Sequence, residues 1–212
     1  MDIREMAHRQ QITGDEPIAR QVQAVLLAAI AAGELVAGDV LHDHEWASVL
    51  GVSRTPIREA VRHLHGMGLL EVAAARYTRL RAYGADQAAY EARDWALLHH
   101  ALTVALVKEP LEDLSDRLCR VRDLLVGQTH PEHVRAGNFT FFDTLRTAAP
   151  HSTITLGAAA SAYRLRLAEP ALPHRPRAHT RLHNAVIHTL VTRNPDHALA
   201  ALTTWTPAPG SA

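Results

Sequence analysis

Apolar residues recur at helical spacing near the start of the chain. The run PIARQVQAVLLAAIAAGEL begins at Pro17, and Gly33 follows its last apolar turn. The apolar positions of this run share one helical face: Ile18, Val22, Val25, Leu26, Ala29 and Ile30. The pattern predicts an amphipathic helix that ends at Gly33.

A second, short helix is predicted over the segment DHEWASVL, residues 43–50. Asp43 stands at its start and is a plausible N-cap, because an aspartate side chain accepts hydrogen bonds from the first-turn N–H groups. Gly51 then interrupts the helical pattern.

A third helix is predicted from Ser53 or Thr55 to His65, followed by two nearby glycines. Pro56 falls within its first turn, where the missing N–H costs nothing. The predicted buried side of this region consists of Leu50, Val52, Ile57, Val61 and Leu64.

The periodicity changes after the third helix. In GLLEVAAARYTRLRAY, apolar and polar residues alternate on both sides of AAAR, which predicts a two-stranded hairpin. After Asp86 the pattern is helical throughout and is punctuated by prolines. The predicted helices there span 86–108, 111–127, 131–149, 151–168, 178–193 and 195–205.

These elements predict a mostly α protein with two domains. Helix, glycine-containing turn, helix and hairpin form a winged helix-turn-helix arrangement. An all-α antiparallel helical bundle is predicted to follow it. The predicted organisation is a disordered tail over 1–16, the winged helix-turn-helix domain over 17–83 and the helical domain over 86–206, with a disordered TPAPGSA tail at the end.

Composition favours a cytoplasmic protein. The chain has 212 residues, and apolar runs such as AVLLAAIAA stop well short of the ~20 residues that span a bilayer. Its single cysteine, Cys119, excludes an intrachain disulfide and is interpreted as a small buried hydrophobic residue. We therefore expect a soluble protein in a reducing compartment, without a leader and without a membrane partner.

The net charge is zero, with 22 basic and 22 acidic residues, but basic residues cluster locally. Residues 54–81 hold six arginines against two glutamates, a local charge of +4. Such clustering is typical of a nucleic-acid footprint. Lys108 is the only lysine, so part of this arginine enrichment reflects the chain's general preference.

Two of these arginines fit direct reading of DNA. Arg54 and Arg58 are four residues apart on one face of the third helix, beside Thr55. The second helix of a helix-turn-helix lies in the major groove, where arginine binds O6 and N7 of guanine. The alternative is that Arg54, Arg58 and Arg62 merely solvate the outer face of a surface helix.

The stretch GVSRTPIREAVRHLHGMGLLEV, residues 51–72, resembles the winged-helix signature of GntR-type bacterial transcription regulators. With the preceding AAIAAGELVAGDVLHDHEWASVL, the resemblance covers roughly residues 18–82. It implies double-stranded DNA with a palindromic operator as partner and a homodimer as the binding form. The DNA contacts that we expect are Ser53, Arg54, Thr55, Arg58, Arg62, His44 and, in the wing, Arg76.

This chain departs from the pattern at two points. Ala37-Gly38 stands where relatives usually have Pro-Gly, and the wing reads AAARYT, with Tyr77 near the usual wing-tip glycine. Recognition led by the helix is expected to survive, whereas the wing's contribution is open.

The second half, with YEARDWALLHHALTVALV and FTFFDTLRTAAPHSTI, resembles the FCD effector domain of the FadR-like branch of the family. That resemblance implies a small organic acid bound through a divalent metal, held by an Asp and three histidines. Those four positions fall on Asn138, Phe142, His183 and, approximately, Trp205. Because only His183 retains a metal-ligating imidazole, zinc or nickel is disfavoured as a cofactor.

Two alternatives remain for this half. His179 and His183 have a two-ligand helical spacing, so both are possible metal ligands with help from other histidines. The favoured hypothesis is a metal-free effector pocket for a carboxylate, in which an arginine pairs with the ligand. Its predicted residues are Asn138, Phe142, His183, Trp205, Arg93 and Arg164, although the aromatic ones also fit an ordinary core.

The sequence thus predicts a DNA-binding transcription regulator, commonly a repressor in this family, whose operator affinity responds to a small ligand. The first alternative is an effector-insensitive DNA-binding protein with a degenerate ligand site. The remote alternative is a His-rich metal-binding protein or metalloenzyme. An enzyme is not expected, because no nucleophile–base pair is visible and HTRLH lacks the glutamate of a zinc hydrolase motif.

Overall fold

A computed structural model describes residues 15–73, 77–109 and 113–206 of the chain. The chain divides into two compact units, residues 1–82 and residues 83–212. Residues 1–14 of the predicted N-terminal tail and residues 207–212 of the predicted C-terminal tail lie outside the described part.

Among its described residues, the first unit contains three helices and a hairpin, in the predicted order. Its elements are α1 (Ile18–Ala32), α2 (Asp43–Leu50), α3 (Arg54–Gly66), β1 (Leu70–Ala73) and β2 (Tyr77–Leu80). The predicted helix-turn-helix with a small antiparallel sheet is confirmed.

Helix α1 supplies the largest apolar face of this unit and packs against α3. Its buried residues are Ala19, Val22, Val25, Leu26, Ala29 and Ile30. Ile18 was predicted on this face but is 47% exposed, because it opens the helix and lies beyond the packed contact. Gly33 ends the helix in the left-handed conformation, at φ 76°, where glycine carries no steric cost.

The turn between α2 and α3 corrects one prediction. His42, not Asp43, occupies the N-cap position of α2, and no side chain caps the helix there. Asp43 is the first helical residue, so its carboxylate is directed away from the capping position and is free to bind elsewhere. Gly51 has φ 65° and closes α2, which fixes the sharp approach to α3.

The buried side of α3 is narrower than predicted. Ile57, Ala60 and Leu64 are buried, whereas Val61 is half-buried. Leu50 and Val52 are half-buried as well, because they flank the turn and do not reach the packed face.

The hairpin is tied to the loop before α2. Strands β1 and β2 are antiparallel, with Leu70 opposite Leu80, and both leucines are fully buried. The Gly38 N–H donates to the Leu80 carbonyl at 3.0 Å, with φ 92° at the glycine. The loop thereby adds a bridge between Val40 and Arg79, a third pairing partner that the alternation pattern did not predict.

The second unit is helical throughout its described residues. Its elements are α4 (Ala85–Leu106), α5 (Leu114–Leu125), α6 (Pro131–Thr147), α7 (Thr153–Ala168), a 3₁₀ turn (Glu169–Ala171), α8 (Pro176–Thr192) and α9 (Asp196–Trp205). The described ends lie within three residues of the predicted ones. The predicted helical second region is confirmed.

An aromatic cluster lies at the centre of this unit. Trp95 on α4, Phe141 and Phe142 on α6, and Trp205 on α9 are all buried in one core. Helix α4 packs along α7, and α8 packs along α9, so the core is closed from several sides. In the described part of the chain, none of the helices is sufficiently long and apolar to span a bilayer.

Candidate functional site

The first candidate surface is the exposed beginning of α3. The side chains of Arg54 and Arg58 are 56% and 60% exposed, and Ser53 and Thr55 beside them are exposed as well. Ser53 occupies the N-cap, and within the described residues its hydroxyl accepts no bond from the helix. The first N–H groups of α3 therefore remain available to an anion such as a DNA phosphate.

Asp43 at the start of α2 binds both arginines. Arg54 donates to it through two nitrogens, from Nη2 to Oδ1 at 2.9 Å and to Oδ2 at 2.8 Å, and from Nε to Oδ2 at 3.2 Å. Arg58 donates only through Nε, to Oδ2 at 3.1 Å. The two helices of the motif are thus joined by one carboxylate that lies between two guanidinium groups.

The electrostatics of this cluster favour the ionised acid. The hydrogen bonds from Arg54 hold the pKa of Asp43 below its usual value, and those from Arg58 add to this effect. Partial burial acts in the opposite direction but does not outweigh them. At neutral pH the cluster is one negative and two positive charges, so it keeps a net positive charge toward solvent.

The remaining predicted DNA contacts are spread around this cluster. His44 is exposed and lies 3.8 Å from Glu45, and Arg62 is exposed one turn beyond Arg58. Arg79 on β2, which is not among the predicted contacts, pairs with Glu71 across the hairpin at 2.7 Å. Arg76, the predicted wing contact, lies outside the described residues.

The second candidate site lies in the helical unit, where Asn138 and His183 contact each other. His183 Nε2 lies 3.1 Å from Asn138 Oδ1, and Asn138 Nδ2 donates to Glu169 Oε1 at 3.4 Å. All three side chains are buried. With the amide oxygen facing His183, Nε2 is the protonated nitrogen, and Nδ1 lacks a partner within the described residues.

Two of the predicted pocket residues belong to the aromatic core. Phe142 contacts Trp95 edge-on at 4.5 Å between ring centroids, and Trp205 lies 4.8 Å from the same tryptophan. Phe141 stacks on His183 at 4.0 Å. Phe142 is 1% exposed and fills the space beside His183, whereas Trp205 also borders an open cleft.

The two predicted carboxylate-binding arginines lie elsewhere. Arg164 on α7 pairs with Glu91 at 2.8 Å, and Arg93 is an exposed residue of α4. Neither residue lines the cleft beside Trp205. Of the six predicted pocket residues, Asn138 and His183 bond to each other, and only Trp205 lines the cleft.

A narrow cleft lies next to this polar chain. It is open to solvent, and two arginines and two histidines line it around a buried acid. Its lining residues are Arg135, Glu169, Leu172, Pro173, His174, Arg175, His179 and Trp205. The arginines that line this cleft are Arg135 and Arg175, not the two that the sequence suggested.

Burial shifts the titration of the groups around the cleft. It raises the pKa of Glu169 to about 8, although Arg166 and Arg135 act in the opposite direction. It lowers the pKa of His179 to about 4 and that of His183 to about 3. At neutral pH the cleft is therefore lined by a protonated carboxyl, Glu169, and a neutral imidazole, His179.

The residues do not fit the divalent metal of the FCD pattern. Phe142 offers no lone pair, and the oxygen of Asn138 already accepts a bond from His183. Within residues 15–73, 77–109 and 113–206, no three His, Cys, Asp or Glu side chains are grouped so that they can hold a metal ion. His183 is a buried neutral imidazole, and His179 is a neutral imidazole that lines the cleft.

Sequence reasoning missed two functional candidates. Asp43 was interpreted as a helix cap, and the signal for its other role was the i, i+4 pair of arginines beyond a tight glycine turn. Glu169 was not singled out, although it is a lone acid in the segment LRLAEPALPHRP. An isolated acid between apolar residues is a signal for a buried carboxyl.

Part of the first unit matches a known protein family. Residues 18–79 match the family model described as bacterial regulatory proteins, gntR family. A protein of Paenarthrobacter nicotinovorans named "Probable D-xylose utilization operon transcriptional repressor" is 42% identical over 64 residues. That match covers 30% of this chain and 28% of that protein, so the chain matches less than a third of this relative's length.

Solved structures resemble the chain over most of its length. E. coli McbR/YncC has a TM-score of 0.71 at 20% identity, with 91% of this chain and 94% of that chain covered. A putative GntR transcriptional regulator from Rhodococcus sp. RHA1 has the same TM-score at 18% identity, with 89% and 93% covered. At these identities the likeness establishes a shared fold alone, and the match to the GntR family model is confined to residues 18–79.

Proposed function

We propose that this chain is a GntR-type, sequence-specific DNA-binding transcription regulator that acts in the cytoplasm. The observation that carries the proposal is the exposed pair Arg54 and Arg58 at the beginning of α3, within the region that matches the family model. Repression is the proposed outcome, because the relative from Paenarthrobacter nicotinovorans carries the name of a repressor.

A homodimer is the proposed binding form. One recognition helix contacts only a few base pairs, and two copies related by a two-fold axis read two half-sites. The proposed operator is therefore an inverted repeat with half-site centres about 34 Å apart, or one helical turn of DNA.

Selection from random DNA tests this function. Purified full-length protein is incubated with a random duplex library at two stated salt concentrations, and bound fragments are sequenced over several rounds. We expect enrichment of an inverted repeat. Weak, salt-sensitive retention without any enriched sequence would contradict specific recognition, because phosphate contacts alone give that pattern.

Ligand control of DNA binding is the second part of the proposal. Arg135, Arg175 and His174 surround a cleft whose floor is Glu169, which is protonated at neutral pH. Two guanidinium groups suit a carboxylate, and a protonated carboxyl donates a further hydrogen bond to it. A ligand that binds one conformational state better than another shifts the population of DNA-binding protein.

Replacement of Arg175 tests the cleft. We expect some small carboxylates in a screened panel to raise the melting temperature of the protein and to change its operator affinity. Arg175→Ala is expected to weaken that ligand response about tenfold or more, since a charge-assisted hydrogen bond contributes about 1.5–3 kcal/mol. Arg177→Ala is the matched control, because Arg177 is an exposed arginine of α8 that does not line the cleft.

One observation favours an effector-insensitive regulator as the second candidate. Phe142 and Phe141 fill the space around His183, and Asn138 is already bonded on both sides of its amide. If no carboxylate of the panel changes stability or operator affinity while DNA selection succeeds, this second candidate is supported and ligand control is contradicted.

A further inference from the structure

The carboxylate of Asp43 is shared unequally between the two recognition arginines. Arg54 meets it with Nε and Nη2, which form the bidentate edge of its guanidinium group. Arg58 meets it with Nε alone, at 3.1 Å. Among the described residues, the terminal nitrogens of Arg58 bind no protein group, although the side chain is oriented by the Nε contact.

The two arginines therefore differ, before DNA binds, in which guanidinium nitrogens are available to a base. Bidentate reading of guanine needs two parallel N–H donors of one guanidinium group. Arg58 retains its Nη1 and Nη2 groups for such a contact while its Nε stays bonded to Asp43. Arg54 has its usual bidentate edge occupied and offers only its remaining nitrogen without breaking the pair.

We propose that Asp43 is a positioning residue that sets DNA specificity, by orienting Arg58 toward a guanine and by withholding the bidentate edge of Arg54 from bare phosphates. This inference rests on the proposed function as a DNA-binding regulator. The residue itself need not contact a base, since its effect passes through the two guanidinium groups.

Two physical effects act together in this role. An arginine side chain carries about 2 kcal/mol of rotamer entropy. A partner that fixes the guanidinium group before DNA binds reduces the entropy that the side chain loses on binding. The same carboxylate repels DNA phosphates, so a complex that makes only phosphate contacts keeps an unfavourable like-charge interaction. Because the pair is partly exposed, its attraction is weak enough for Arg54 to exchange partners in the specific complex.

The test replaces Asp43 by asparagine and compares it with Glu45→Gln. Both acids lie in the first turn of α2, so both changes add one positive charge and remove one favourable interaction with the helix N-terminus. Glu45 contacts His44 and has no contact with the two arginines that the structure shows. Dissociation constants are measured for full-length protein on the selected operator and on random duplex DNA, over a range of salt concentrations.

We expect Asp43→Asn to tighten binding to random DNA and to weaken binding to the operator. The specificity ratio, which is the dissociation constant on random DNA divided by that on the operator, should fall on the order of tenfold. That is the discrimination provided by one well-placed arginine contact. Glu45→Gln should tighten both constants by similar factors and leave the ratio unchanged, because it changes only net charge. Asp43→Glu, which keeps the charge, should recover part of the lost ratio.

An unchanged specificity ratio in Asp43→Asn, with thermal melting like that of Glu45→Gln, would overturn the inference and leave the DNA-binding function standing. A wild-type protein that selects no sequence would instead overturn the proposed function and this inference together. If Asp43→Asn melts far below Glu45→Gln, the specificity ratio measured for Asp43→Glu decides. A ratio above that of Asp43→Asn supports positioning by the carboxylate, and a ratio as low as that of Asp43→Asn overturns it.

Discussion

Replacement of Arg58 by alanine is expected to weaken binding to the selected operator by about 5- to 150-fold. The range corresponds to the roughly 1–3 kcal/mol of discrimination that one bidentate arginine–guanine pair provides. Arg58 is the arginine whose terminal nitrogens remain available, since only its Nε is bonded to Asp43. Its side chain is 60% exposed, so the change removes little packing and should leave the fold unaffected.

The signature of base reading is a loss that depends on sequence. Operators with each base pair replaced in turn are titrated with wild-type and Arg58→Ala protein at constant salt. We expect the variant to lose discrimination at one position of each half-site. Binding of the variant to random DNA should change far less than binding to the operator.

Arg62→Ala serves as the comparison for a phosphate contact. Arg62 is exposed on the same helix, one turn beyond Arg58, and its replacement removes the same charge. A phosphate contact predicts uniform weakening on all sequences, with the slope of log K against log salt reduced by about one. If Arg58→Ala shows that uniform pattern, Arg58 is a phosphate contact and base reading must come from another residue.

The elements of the first unit were largely predictable because local chemistry marks their ends. Helix α2 spans the predicted residues, since Gly51 in the left-handed conformation closes it and apolar Trp46 and Ala47 face the core. The hairpin followed from alternation around AAAR. What the pattern did not contain was the pairing of Asp43 with Arg54 and Arg58, which depends on how two helices cross and not on periodicity within either.

In the helical unit, too, the helices could be predicted from the sequence but the arrangement of the site residues could not. Prolines and apolar spacing placed each helix, but the carboxylate-binding arginines were assigned to Arg93 and Arg164. Their positions on α4 and α7 direct them to solvent and to Glu91 instead. The cleft arginine Arg175 lies in the connection before α8, a segment whose path no helical period describes.

The helical unit is expected to lose stability steeply when the pH falls below about 6.5, the ordinary pKa of histidine. Burial lowers the pKa of His99 and His179 to about 4 and that of His183 to about 3. Each folded-state pKa lies below the unfolded value, so unfolding takes up protons. The stability from the neutral imidazoles is complete above pH 6.5 and is lost as the pH falls toward 4 and 3, by up to about 4 kcal/mol per pH unit when all three contribute.

The shifted pKa of Glu169 changes stability with pH in the opposite direction. Burial raises its pKa to about 8, above its unfolded value of 4.5, so the folded unit keeps a proton that the unfolded chain releases. Its contribution is complete below pH 4.5 and is lost as the pH rises toward 8, by about 1.4 kcal/mol per pH unit. Together the groups predict a maximum of stability near pH 6.5, with a steep acid side and a shallow alkaline side.

Urea unfolding between pH 4 and pH 8.5 measures this profile. A Trp46→Phe background removes the tryptophan of the first unit, so that Trp95 and Trp205 report the helical unit alone. His99→Phe is expected to reduce the number of protons taken up on unfolding at acid pH by about one. Glu169→Gln is expected to remove the decline of the unfolding free energy above pH 6.5. His151→Gln, a change at an exposed histidine, is the control and should leave the profile unchanged.

A flat profile from pH 8 to pH 5 would contradict the neutral, buried state of these histidines. An acid slope that His99→Phe leaves intact would assign the proton uptake to other groups. If Glu169→Gln removes the alkaline decline and also abolishes the response to carboxylate ligands, the same buried proton stabilises the unit and serves the cleft. Loss of the decline with the ligand response intact would instead confine Glu169 to the interior, and ligand binding would then depend on Arg135 and Arg175 alone.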